Sequence, residues 1–234
     1  MRVYRFLAGL VPAALTTALM LSPAHAQETN DGHFYIAAAA TGSDMKRPRQ
    51  TIANAPTPGS TLQVVNAVDF GWGGQAAFGY SSGYFRIEAE VGHTENDSDS
   101  YTAITPLSIT LPQKGKNNLT RFMANAYAQL PEGRWIASPY VGAGFGYARA
   151  RVTTFAAPAR APAAPPSQLI DQKDGDTAYQ LMAGVAVPLT SRVSLTIQYR
   201  WFDAGTVTGV DIRSERITRS LRGSNYDLGL RLRL

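Results

Sequence analysis

Thr177 to Phe202 reads TAYQLMAGVAVPLTSRVSLTIQYRWF, two apolar/polar alternations separated by a very short turn. In the first, Tyr179, Leu181, Ala183, Val185 and Val187 share one side, against Gln180, Met182, Gly184 and Ala186. In the second, Val193, Leu195, Ile197, Tyr199 and Trp201 alternate with Ser194, Thr196, Gln198 and Arg200. Period two places each set on one face of a strand. Leu189-Thr190-Ser191-Arg192 leaves room for a hairpin turn only. Each strand has about the length that a tilted strand needs to cross a bilayer. Tyr179 and Trp201 end the apolar side away from the turn. This pattern predicts a strand pair with lipid on one face and a polar barrel interior on the other.

The other segments repeat it. Strands are predicted from about His33 to Gly42, Phe70 to Tyr80, Tyr84 to Thr94, Arg121 to Leu130, Pro139 to Val152 and Tyr226 to Leu234. With the first hairpin this makes eight strands. Their connections alternate long and short. The long ones run from about Ser43 to Ala67, Glu95 to Asn117, Thr153 to Asp176 and Ala204 to Ser220; the short ones include Ser81-Ser82-Gly83 and Pro131-Glu132-Gly133-Arg134. The third long loop contains AAPARAPAAPPS, whose prolines favour extended polyproline-like backbone. The weak alternation of Tyr101 to Leu111 suggests that the second loop extends its flanking strands. An even strand number, tight turns at one end and long loops at the other describe an outer-membrane barrel. A secreted β-sandwich, the competing architecture, has no reason to alternate so regularly. The expected fold is therefore all-β: an eight-stranded antiparallel transmembrane barrel with four long external loops and short periplasmic turns.

Composition agrees. The chain has 234 residues, no cysteine, 44% hydrophobic residues and a formal net charge of +5. Inward-facing residues dilute the apolar content of a barrel. Arg2 and Arg5, an apolar run from Phe6 to Leu21, and Ala24-His25-Ala26 read as a secretory signal peptide over 1–26, leaving a barrel domain over 27–234. Loss of Arg2 and Arg5 lowers the net charge to +3, too mild for a nucleic-acid footprint. The absence of cysteine removes disulfides, thiolate chemistry and cysteine-based zinc sites.

The segments NAYAQLPEGRWIASPYVGAGFGYA and YQLMAGVAVPLTSRVSLTIQYRWFD resemble the small outer-membrane β-barrel superfamily, the opacity-porin and outer-membrane-protein-A-like barrels. The resemblance covers essentially the whole mature chain and specifies fold rather than chemistry. It implies the cell outer membrane as location, with outer-membrane lipid, lipopolysaccharide and the insertion machinery as partners. Such barrels usually end in Phe or Trp, whereas this chain ends in Leu234.

With the apolar sets facing lipid, Arg86, Glu88, Glu90, Arg121, Asn125, Tyr127, Gln129, Gln180, Gln198, Arg200, Asp227, Arg231 and Arg233 would point inward. Buried charges must be paired, and Glu88 and Glu90 are the acids expected at mid-depth. Two readings follow: a sealed polar plug, or a narrow polar pathway. Gly142, Gly144 and Gly146 leave a groove on the inner wall that Tyr127 can fill. Outward aromatics divide by depth. Phe34, Phe85 and Tyr140 are expected near the short turns, and Trp72, Phe122, Tyr147, Tyr179, Trp201 and Tyr226 near the long loops. His93, with Glu95 on the same face and Ser98 and Ser100 close by, is the one constellation that suggests lipid-modifying chemistry. Asn96-Asp97-Ser98-Asp99 lacks the glycine and distal glutamate of a calcium loop, and GAGFG leads to no helix. No cofactor or metal is expected. The sequence points to a monomeric, non-enzymatic barrel with an envelope-structural and adhesin-like surface role; a small-solute channel and a lipid A-modifying enzyme are the alternatives.

Overall fold

The computed structural model describes residues 32–46, 49–53, 61–103, 109–132, 136–156, 167–210 and 216–234. The expected signal peptide and residues 157–166 of the proline-rich segment lie outside these. The described residues form ten antiparallel segments: β1 (His33–Met45), β2 (Arg49–Ala53), β3 (Thr61–Val68), β4 (Gly71–Ser81), β5 (Phe85–Ala103), β6 (Ile109–Gln129), β7 (Ser138–Ala156), β8 (Ser167–Pro188), β9 (Val193–Val210) and β10 (Arg216–Arg233). They make a closed eight-stranded barrel. β4 to β10 pair in order apart from the β2–β3 insertion, and β1 closes the ring between β4 and β10. At closure Tyr35 sits opposite Arg233 and Gly42 opposite Tyr226. The Leu234 N–H donates to the Phe34 carbonyl at 2.9 Å.

The first hairpin is built on two levels. β1 and β4 occupy the lower part of the wall between β10 and β5, and β2 and β3 take their place above. Ladder bonds bridge the step, from Lys46 N–H to the Arg222 carbonyl (3.0 Å) and from Asp69 N–H to the Asp97 carbonyl (2.9 Å). The fully buried Asn96 amide donates to the carbonyls of Ser43 (3.0 Å) and Asp69 (3.1 Å). Backbone polar groups at the step are thereby kept bonded, as a buried wall requires.

The long connections carry more strand than the sequence expectation, which foresaw an extension only for the second. Strand pairing runs far into them: β5 and β6 remain paired up to Ala103–Ile109, and β7 and β8 up to Ala156–Ser167. Apolar alternation stops where the outward face leaves the bilayer, but the backbone ladder needs no apolar face to continue. β8 has 22 residues, roughly 73 Å of strand at 3.3 Å per residue, about twice what a tilted crossing needs. At the other end the turns are tight. Gly83 takes a left-handed φ of 74°, and the Thr190 hydroxyl accepts the N–H groups of Arg192 and Val193 at 3.2 and 3.0 Å.

Facing along each strand follows period two. Ile87, Val141, Phe145, Leu181, Ile197 and Leu230 are exposed on the outside, while Arg86, Arg121, Tyr127, Gln180 and Arg200 are buried inside. The glycines of β7 admit interior bulk. A Cβ on Gly142 would stand 2.3 Å from the Tyr127 ring, and one on Gly144 2.0 Å from the Asn125 amide oxygen. Gly142→Val should therefore destabilise the barrel by about 1–3 kcal/mol through overpacking. Ala143→Val, one residue on and facing lipid, should change little. Urea unfolding of both variants in lipid vesicles checks this; equal effects would mean the facing is wrong.

Candidate functional site in the barrel interior

At mid-depth everything converges on Arg200 of β9, whose side chain is fully buried. Its Nη1 and Nη2 grip the Glu90 carboxylate of β5, Nη2 at 3.0 Å. Nε donates to Asp227 of β10 at 3.2 Å, Nη1 to Gln180 of β8 at 2.9 Å and Nη2 to Gln75 of β4 at 2.7 Å. One guanidinium thus ties five staves across the lumen. The acids are held in turn. Asn125 donates to Glu90 and Glu88, each at 3.0 Å, and accepts from Gln180 at 2.7 Å. Thr41 and Gln198 donate to Asp227 at 2.8 and 3.0 Å. Asp227, absent from the mid-depth acids expected from sequence, is the second counter-charge of Arg200.

Toward the short turns lies an aromatic and cationic layer. Glu88 accepts from the hydroxyls of Tyr35 (2.7 Å) and Tyr127 (2.6 Å). The Arg86 guanidinium stacks over Tyr127 at 4.0 Å and Tyr140 at 4.8 Å, a favourable cation–π arrangement, and donates to Gln129 at 3.2 Å. Tyr140 therefore corrects the sequence assignment. It is 5% exposed, inside the barrel, and packs edge-on against Tyr127 at 5.7 Å. It shares parity with the inward Gly142, Gly144 and Gly146, so strand alternation places it inward. Below this layer Glu132, from the turn after β6, folds under the lumen to bind Arg231 of β10 and Ser194 of β9. That bond joins the turn to the far wall.

Toward the hairpins Arg121 lies over Phe202 at 5.4 Å, and with the Asn225 amide turned to satisfy its neighbours the Asn225 oxygen accepts from both terminal nitrogens of Arg121 at 2.6 and 3.1 Å. Around it Met45, Leu119, Met123, Phe202 and Leu221 pack into one buried apolar cluster. The sequence reading assigned the interior to polar residues and missed this cap. Its signal was the large apolar residues at inward parity, Leu119 and Phe202, where the strands leave the bilayer. The polar layer retains a cavity of about 40 Å³ lined by Arg86, Glu88, Gln198 and Arg231 among others, room for a few water molecules.

The outer belts hold the other aromatics. Phe85, exposed, lies toward the short turns, where Phe34 stacks on Phe78 at 5.6 Å. Toward the hairpins Trp72 packs against Phe70, Tyr179 against Trp201 and Tyr199 against Tyr226, at 5.3, 5.7 and 5.7 Å. Tyr147 is exposed at the same level. The His93 constellation is not assembled. His93 faces outward, with Nδ1 2.9 Å from the Thr120 hydroxyl, whereas Ser98 is buried on the inner side. Glu95 is taken by Lys116, which raises the ammonium pKa above its usual value. Backbone N–H groups of Thr206 and Thr177 hold the Asp176 carboxyl, at the base of the hairpin extensions, below its usual range.

These features identify the class. Residues 13–233 match the family described as the outer membrane protein beta-barrel domain, and the chain belongs to that family. This gives it the outer membrane as its location. Among solved structures, OprG from Pseudomonas aeruginosa matches with 13% identity and a TM-score of 0.55, over 87% of this chain and 96% of OprG. Neisserial surface protein A matches with 16% identity and a TM-score of 0.46, over 87% of this chain and 99% of that one. At such identities the likeness shows the fold alone. None of the curated proteins matches the chain by sequence.

Removing one partner from a buried ion pair strands the other charge. Glu90→Ala should lower the unfolding free energy by about 3–5 kcal/mol, and Glu90→Gln by less, because it retains acceptor and shape. Exposed Lys116→Ala should leave the urea midpoint unchanged. Equal midpoints for Glu90→Ala and Lys116→Ala would show that the Arg200 lock carries no weight.

Proposed function

We propose that the protein is a sealed, non-enzymatic outer-membrane barrel that supports the envelope and presents its extended hairpins as an adhesin-like contact surface. The lumen carries this reading. Between the Glu132–Arg231 latch and the Phe202–Leu119 cap, the Arg200 lock spans the barrel with no exposed side chain. Eight strands leave an interior that side chains can fill, so interaction chemistry falls to the parts outside the membrane. The staves that rise beyond the belts supply that surface. Separation of His93 from Ser98 by the barrel wall favours the non-enzymatic reading over a lipid-modifying one.

On this reading the chain is exported by its 1–26 signal peptide, inserted by the outer-membrane assembly machinery and works as a monomer among outer-membrane lipid and lipopolysaccharide. The basic first loop (Lys46, Arg47, Arg49) and fourth loop (Arg213, Arg216, Arg219) suit polyanionic surfaces; Arg47 and Arg213 lie outside the described residues. A narrow channel is the second reading, favoured by the polar cavity beside Arg86.

Planar-bilayer recording of the refolded chain decides between them. The sealed barrel predicts silence from the wild type and leak from the Arg200→Ala/Phe202→Ala double variant. Steady, ion-selective openings from the wild type would make the interior charges a permeation path.

A further inference from the structure

Charge on the outer wall begins just above the upper aromatic belt, and it is unevenly distributed. Phe122 of β6 and Tyr147 of β7 are exposed cross-strand partners in that belt. Directly above, on the same outward face, Thr120 pairs with Arg149, Asn118 with Arg151 and Lys116 with Thr153. Both arginines are exposed. β5, on the far side of β6, presents Glu95 and Asp97 outward at this height, and Glu95 is engaged by Lys116. An acidic sector thus borders a basic one.

Height and shape narrow the chemistry that fits. Two residues advance a strand by about 6.8 Å, or roughly 5 Å along the membrane normal at the tilt of such barrels. Arg149 and Arg151 therefore stand roughly 5 and 10 Å above the belt. Belt aromatics lie at headgroup level, so these two guanidinium groups face the zone of the headgroup phosphates. On β8 the register partner of Arg149 is Gly175 and that of Arg151 is Lys173. The Tyr147 hydroxyl leans over Gly175, 2.0 Å from where a Cβ would stand. Arg149 thus has a glycine beside it on β8 and a phenol donor below it. Guanidinium forks match phosphate oxygens in bidentate fashion, at roughly twice the strength of neutral hydrogen bonds.

We propose that Arg149 and Arg151, with the Tyr147 hydroxyl beneath them, form a site on the outer barrel wall for a phosphate of an outer-leaflet glycolipid of the lipid A class. The site rests on the proposed orientation, hairpin ends outward, and lies on the wall rather than in the first and fourth loops. Bound there, the lipid phosphate engages two neighbouring guanidinium groups and holds the β6–β8 sector against the leaflet. The acidic β5 sector repels the same headgroup, giving the barrel a preferred lipid-binding side.

The test uses the full-length refolded barrel in detergent, titrated with bisphosphorylated lipid A and with its dephosphorylated form, and read by native mass spectrometry. Heat-modifiable gel mobility verifies that each variant is folded. The wild type should bind the phosphorylated lipid about tenfold more tightly than the dephosphorylated one, and Arg149→Gln/Arg151→Gln should lose that difference. Each single variant should lose part of it, which keeps the test decisive if the double variant fails to fold. Arg192→Gln, at the short-turn end, should bind like the wild type. Equal affinity for the two lipids, or full retention by the arginine variants, overturns the site. A loss confined to Arg192→Gln overturns the orientation it depends on. The conductance of the same preparation is a separate readout, so failure here leaves the sealed lumen standing.

Discussion

An arginine fully enclosed at the centre of a membrane protein is tolerable only when its charge is matched and its donors are used. Arg200 meets both conditions by drawing on five strands at once, and much of the interior is arranged around that demand. Glu90 must point inward opposite it, Asp227 must approach from β10, and Gln75, Gln180 and Asn125 must present their amides at compatible heights. Every one of these positions has fixed strand parity, and a one-residue slip would turn the participant out to lipid. The network therefore also selects register. The small residues of β7 belong to the same constraint, because Tyr127 and Asn125 use the volume that Gly142 and Gly144 leave open.

The fold was legible because a bilayer imposes a simple rule, outward apolar and inward polar, at period two and over a fixed length. Thr177 to Phe202 displays it almost without interruption, and the strand order follows from chain order. The same rule stopped working where the bilayer stops. The proline-rich third connection carried no alternation to mark a ladder, so the sequence suggested a loop where β7 and β8 stay paired up to Ala156 and Ser167; only the weak alternation of Tyr101 to Leu111 pointed to the continued pairing of β5 and β6. The interior was legible in membership but not in partnership. Arg200 and Glu90 were both identifiable as inward, yet they lie 110 positions apart in the chain and only barrel closure brings them together. Tyr140 was misplaced for a different reason: its aromatic character was allowed to outweigh its parity with Gly142. Leu119 and Phe202 escaped notice because an apolar residue at inward parity contradicts the rule that made the rest readable.

Polar and apolar layers do different work along the lumen. The Arg86–Tyr127–Tyr140 stack and the Arg200 lock are directional, and each fixes neighbouring strands relative to one another. The Met45–Leu119–Phe202–Leu221 cap is non-directional and excludes water by filling space. Placing the cap at the hairpin end and the Glu132 latch at the turn end encloses the charged middle from both sides. Water excluded in this way strengthens the interactions between.

The two-level build of the first hairpin has a consequence for how such a surface can change over generations. Ser43 and Gly71 are ladder partners at the top of the lower level, so the chain leaves and re-enters the membrane wall at neighbouring points. Everything from β2 to β3 is an insertion between two adjacent anchor points. It can be lengthened, shortened or exchanged while β1, β4 and the ring they close keep their pairing. Asn96, fastened to the carbonyls of Ser43 and Asp69 from a different strand, marks the seam. Variation above that seam leaves the β1–β4 pairing below it intact, so the exposed end can diverge while the embedded end keeps its own packing.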